Sequence, residues 1–86
     1  MRLYYLTYDL RKKRNYAPLY AELKHLNAVR ILESTWCFKY SGASCKDIRE
    51  HFKQFIETDD GLMVSEVVDW ASVGTLGTPN DLTAAA

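Results

Sequence analysis

Apolar positions recur along this chain with two different periods, and each change of period marks the boundary of an element. Residues 3–9, "LYYLTYD", are rich in Leu, Tyr and Thr, contain neither Gly nor Pro, and stop where charges begin, which predicts a β-strand. After the run "RKKR", Asn15 suits an N-cap and Pro18 falls in a first helical turn, where its missing N–H is harmless. Tyr16, Leu19, Tyr20, Leu23 and Leu26 then share one face, predicting a helix that runs to about Leu26. "VRIL" and "TWCFKY" read as two strands joined by a tight turn at Glu33 and Ser34 or by a bulge. In the second of them Trp36, Phe38 and Tyr40 face one way and Thr35, Cys37 and Lys39 the other. Ser44 precedes Asp47 by three, a variant of the capping box, and Ile48, Phe52, Phe55 and Ile56 form the apolar face of a second helix. "TDDG" is a turn, and "LMVSEVV" a largely apolar strand.

The order strand, helix, strand, strand, helix, strand predicts an α+β, ferredoxin-like βαββαβ fold: one antiparallel sheet, both helices on one face, the other face bare. "DWASV" is a candidate for a short extra C-terminal strand. "GTLGTPNDLTAAA" has turn formers, no periodicity and little to bury, so the expected division is a domain over residues 1–73 and a mobile tail over residues 74–86.

Composition narrows the class. With 86 residues, 48% hydrophobic and 26% charged, the chain suits one globular domain. A domain of this size buries only about 60–65% of the surface its unfolded chain exposes, so a second copy covering the bare face is stabilising and a homodimer is expected. No stretch approaches the roughly 18 apolar residues of a membrane span, so no membrane partner is expected and the predicted location is cytoplasmic. Cys37, Cys45, His25 and His51 do not have a zinc spacing, and both cysteines are expected as free thiols in a reducing compartment. The formal net charge of zero hides a split. Residues 1–30 carry seven Lys and Arg against two acids, whereas residues 57–86 carry six acids and no Lys or Arg. Such a split permits a local phosphate-binding patch, and equally permits the acidic third to lie against the basic one in an assembly.

Candidate chemistry gathers where the first strand ends. Asp9 stands at the strand mouth and is followed by Arg11, Lys12, Lys13 and Arg14. From the residues alone Asp9 is open to three readings: a metal ligand, a cap for the loop, or an ion-pair partner of Arg11. The four basic residues are the candidate nucleic-acid contact. Tyr4, Tyr5, Tyr8, Trp36, Phe38 and Tyr40 lie on the strands expected at the sheet centre, where RNA-recognition sheets stack bases, but the glycine-rich pattern of those sheets is missing.

An opening strand ending "YDL", a basic loop, a helix, a hairpin containing "STWCFK", a second helix and a final strand together resemble the small CRISPR-associated spacer-acquisition proteins. These belong to a ferredoxin-like endoribonuclease superfamily that includes virulence-associated protein D-like and unassigned phage and bacterial members. The similarity covers about residues 1–70. It implies a homodimer whose sheets face each other, often with a C-terminal strand passing onto the partner, and Asp9 at the position of the acidic residue in members reported as nucleases. Asp9 and its symmetry mate would then hold one Mg²⁺ that activates water, while Arg11, Lys12, Lys13 and Arg14 position RNA or DNA. The chain departs from the family in Trp36, Cys37 and its long neutral tail. The expected function is a small dimeric nucleic-acid-associated protein, either a metal-dependent endoribonuclease or nuclease or a nucleic-acid scaffold. The alternative is a non-catalytic protein-interaction module of phage or defence systems.

Overall fold

The computed structural model describes residues 1–12 and 15–82. Strand β1 (Arg2–Asp9) leads to helix α1 (Ala17–His25), the hairpin β2 (Val29–Leu32) and β3 (Thr35–Tyr40), helix α2 (Cys45–Phe52) and strand β4 (Gly61–Val67). Two short 3-10 turns, Lys53–Phe55 and Pro79–Asp81, follow α2 and β4. The strands form one sheet in the order β2-β3-β1-β4, antiparallel at every junction. The architecture is therefore α+β, a four-stranded antiparallel sheet with two helices.

Strand alternation decides where the core lies. Tyr4, Leu6 and Tyr8 of β1 and Trp36 and Phe38 of β3 point to one side, where they join Leu19 and Leu23 of α1 and Ile48 and Phe52 of α2 in a single buried cluster. Each fully buried side chain of this size contributes about 1.5–3 kcal/mol through apolar surface removed from water. The two buried tyrosines keep their hydroxyls satisfied: Tyr4 donates to the Ala43 carbonyl at 2.9 Å and Tyr8 to the Glu33 carbonyl at 3.2 Å.

The helix ends follow local chemistry. Asn15 accepts from the Ala17 N–H at 3.0 Å, while Tyr16 occupies the cap position itself and provides no side-chain cap. Beyond α1, Asn27 takes a left-handed conformation (φ 57°), which lets Asn27 and Ala28 return N–H bonds to the carbonyls of Lys24 and Leu23. Helix α2 opens with a full capping box. The Ser44 hydroxyl accepts from the Asp47 N–H and the Asp47 carboxylate accepts from the Ser44 N–H, and these bonds hold the Asp47 carboxyl below its ordinary range.

The face opposite the helices is not bare. The chain leaves β4 and crosses toward β2, so "DWASV" forms no strand and the extra C-terminal strand expected from the sequence is absent among the described residues. Instead Leu76 donates its N–H to the Ile31 carbonyl at 2.9 Å, and Thr78 caps the Pro79–Asp81 turn, whose Asp81 carboxylate accepts from the Thr78 N–H. Residues 74–82, expected as a mobile tail, thus have a defined placement, with Pro79 buried, and residues 83–86 lie outside the described residues. Glycine is required at position 77, because a Cβ there would sit 2.9 Å from Val29 Cγ1 and 3.0 Å from the Arg30 carbonyl oxygen. The β2 and β3 side chains of this face, Ile31, Thr35 and Cys37, are buried although they point away from both helices. On the β1 and β4 half, Leu3, Tyr5 and Val67 are only half-buried and Met63 is exposed.

Candidate nucleic-acid interface

The end of β1 meets the turn before β4 because Asp9 and Gly61 are paired in the sheet register. That pairing sets Arg11 and Lys12 beside the acidic turn "TDDG". Arg11 ties the two together. Its Nε donates to Asp9 Oδ2 at 3.1 Å, its Nη1 to the Asp59 carbonyl at 3.3 Å, and its backbone N–H to Asp60 Oδ1 at 3.0 Å. Tyr16 donates its hydroxyl to the same Asp60 oxygen at 2.9 Å, and the Glu57 N–H donates to Asp60 Oδ2. Lys12 Nζ stands 3.0 Å from Asp59 Oδ2. Gly61 is part of the fit, since a Cβ there would lie 3.1 Å from Arg11 Nη2.

Of the sequence-predicted site residues, Asp9, Arg11 and Lys12 are brought together at this corner, while Lys13 and Arg14 lie outside the described residues. Of the three readings open for Asp9, its geometry is that of a partner for Arg11. Asp59, Asp60 and Tyr16 were not singled out by sequence reasoning. The readable signal was the complementarity of "RKKR" and "TDDG", for which the charge split left open a phosphate patch or a contact in an assembly, and a contact within one chain was not considered.

A divalent ion such as Mg²⁺ needs several oxygens free of other cations. At this corner Asp9 faces a guanidinium, Asp59 an ammonium, and Asp60 two backbone N–H groups and a phenol, so this donor set suits a clasp on Arg11 and Lys12 rather than a hydrated ion. Among the described residues no group of three or more His, Cys, Asp or Glu is arranged to hold a metal.

Two further polar clusters lie elsewhere. Arg30 stacks its guanidinium over Tyr20 and Trp36, with centroids 5.6 and 5.5 Å away, and donates to the Glu33 carbonyl, while Trp36 Nε1 donates to the Tyr8 hydroxyl at 3.2 Å. Burial, then the neighbouring Tyr8, raises the Tyr20 phenol above its ordinary value against the opposing pull of Arg30. These bonds and stacks lock the turn after β2 onto the core. His51 of α2 pairs with Glu22 of α1 and stands edge-on to Phe52 and Phe55, joining the helices. Cys37 and Cys45 are both free thiols. Burial pushes the Cys37 thiol up to about 11.

Among the described residues no helix is long and apolar enough to cross a membrane. No family model matches the chain, and no solved structure matches it.

Proposed function

We propose that the protein is a small homodimeric nucleic-acid-associated scaffold of the ferredoxin-like βαββαβ type, with the loop of Arg11, Lys12, Lys13 and Arg14 as its phosphate contact. The observation that carries this reading is the division of labour within the loop. Arg11 is committed to an anchor of three bonds at its base. Lys12 has only a surface ion pair, 68% and 36% exposed on its two sides. Such a pair is worth about 0–1 kcal/mol, little enough for a phosphate backbone, with one charge per roughly 1.7 Å of duplex, to displace it. Asp9 acts through Arg11 as a positioning residue of that loop. A protein-interaction role is the second reading, supported by the exposed Met63, Val68, Val73 and Leu76.

Asp9→Asn tests the scaffold reading against the nuclease reading. The pair it weakens is 58% and 71% exposed, so a loss of about 0–1 kcal/mol in thermal stability is expected, unchanged by Mg²⁺ or Mn²⁺. Labelled RNA and DNA should be bound intact by the wild type in either Mg²⁺ or EDTA. Metal-dependent cleavage by the wild type that Asp9→Asn abolishes would assign Asp9 to catalysis and overturn the scaffold.

A further inference from the structure

Asp9, Asp59 and Asp60 meet Arg11 and Lys12, and their carboxylates are used differently. Asp60 is turned inward: its Oδ1 accepts from the Arg11 backbone N–H and the Tyr16 hydroxyl, its Oδ2 accepts from the Glu57 N–H, and its own N–H donates to the Glu57 carbonyl at 3.0 Å. Asp9 pairs with Arg11, the residue that anchors the loop. Asp59 takes the cation that a phosphate contact needs, with its Oδ2 3.0 Å from Lys12 Nζ.

The chain beneath the Asp59 carboxylate is braced by bonds that do not use that carboxylate. Arg11 Nη1 donates to the Asp59 backbone carbonyl at 3.3 Å, and the bonds between Glu57 and Asp60 close the turn on either side of it. To the Lys12 ammonium, a carboxylate oxygen and a phosphodiester oxygen are equivalent acceptors, both anionic and both pairing at about 2.7–2.9 Å. One site thus has two claimants. A phosphate arriving at Lys12 has to displace Asp59, and because the turn is braced, the displaced carboxylate stays within the Debye length of about 8–10 Å, where like charges repel.

We propose that Asp59 is an internal competitor of the phosphate backbone, an autoinhibitory carboxylate that occupies Lys12 in the free protein and lowers its affinity for nucleic acid. The inference rests on the reading of this loop as the phosphate contact and concerns the regulation of that contact. Exposure sets its strength: with side chains 68% and 36% exposed, the pair yields to a dense polyanion and costs it a few-fold in affinity. The sign of the effect separates this role from its opposite. A carboxylate that oriented Lys12 toward the ligand would raise affinity, so its loss would weaken binding, whereas loss of a competitor strengthens it.

A double-mutant cycle tests the competition, with wild type, Asp59→Asn, Lys12→Gln and the double variant titrated against a labelled DNA duplex and a labelled RNA duplex at one salt concentration. Asp59→Asn keeps the backbone carbonyl that Arg11 holds, so the turn is retained. It should bind about two- to fivefold more tightly than wild type, the range that release of an exposed pair allows. In the Lys12→Gln background the same change should leave affinity nearly unaltered, because no ammonium remains to compete for. An equal gain with and without Lys12 assigns the effect to overall charge and overturns the competitor. Weaker binding by Lys12→Gln with no gain in Asp59→Asn also overturns the competitor and leaves the loop contact standing. Binding by Lys12→Gln as tight as that of wild type, or a wild type that binds neither duplex, overturns the loop contact and the competitor together.

Discussion

A carboxylate at a strand end serves whichever positive group stands nearest, and for Asp9 that group is the Arg11 guanidinium two residues along the same chain. Cys37 shows the same local determination by a different force. Its side chain faces away from the helices, yet it is fully buried, because the C-terminal segment passes over the β2 and β3 half of the sheet. Burial in turn penalises the thiolate, raising the thiol from 9.0 to about 11, with Asp81 adding to the rise. A raised acid favours the fold fully below the unfolded value and loses that contribution as pH rises through the folded one. Stability should thus fall between about pH 9 and 11 through Cys37, and Cys37→Ala should flatten that part of the pH profile in urea titrations. At neutral pH iodoacetamide should label the half-buried Cys45 of the native protein and spare Cys37.

Elements were legible in the sequence where one local signal sufficed. The period-two alternation of "TWCFKY" and the Ser44 to Asp47 spacing gave β3 and the start of α2, because strand faces and capping boxes are written within a few residues. The C-terminal segment was not legible. Its docking depends on shape at a single glycine and on one hydrogen bond to a strand more than forty positions earlier, neither of which leaves a periodic trace. Asp9 and its basic loop were visible, but their clasp was not, since the Asp9 to Gly61 register joins residues distant in sequence. Gly77→Ala tests the docked segment as a unit. Its Cβ would clash with Val29 and the Arg30 carbonyl, so residues 74–82 should lift from the sheet. Cys37 labelling should then rise sharply while the helix signal in circular dichroism is kept. Unchanged protection of Cys37 would mean that the segment does not cover it.

At the scale of the whole molecule, a chain of zero net charge folds so that its basic and acidic thirds meet at one corner. The corner anchors Arg11 with three bonds and leaves Lys12 in an exposed surface pair with Asp59. In the proposed scaffold, binding nucleic acid through Lys12 exchanges its exposed pair with Asp59 for a phosphate, a process that releases counterions and depends steeply on salt. The most direct measurement is the slope of log affinity against log salt for a labelled duplex, by fluorescence anisotropy, in wild type and in the variant with Lys12→Gln and Lys13→Gln. Each phosphate contact contributes about 0.9 to that slope, so the variant should bind more weakly with a slope shallower by about one to two units. An identical affinity and an identical slope in the two proteins would contradict the assignment of this loop to the phosphate backbone.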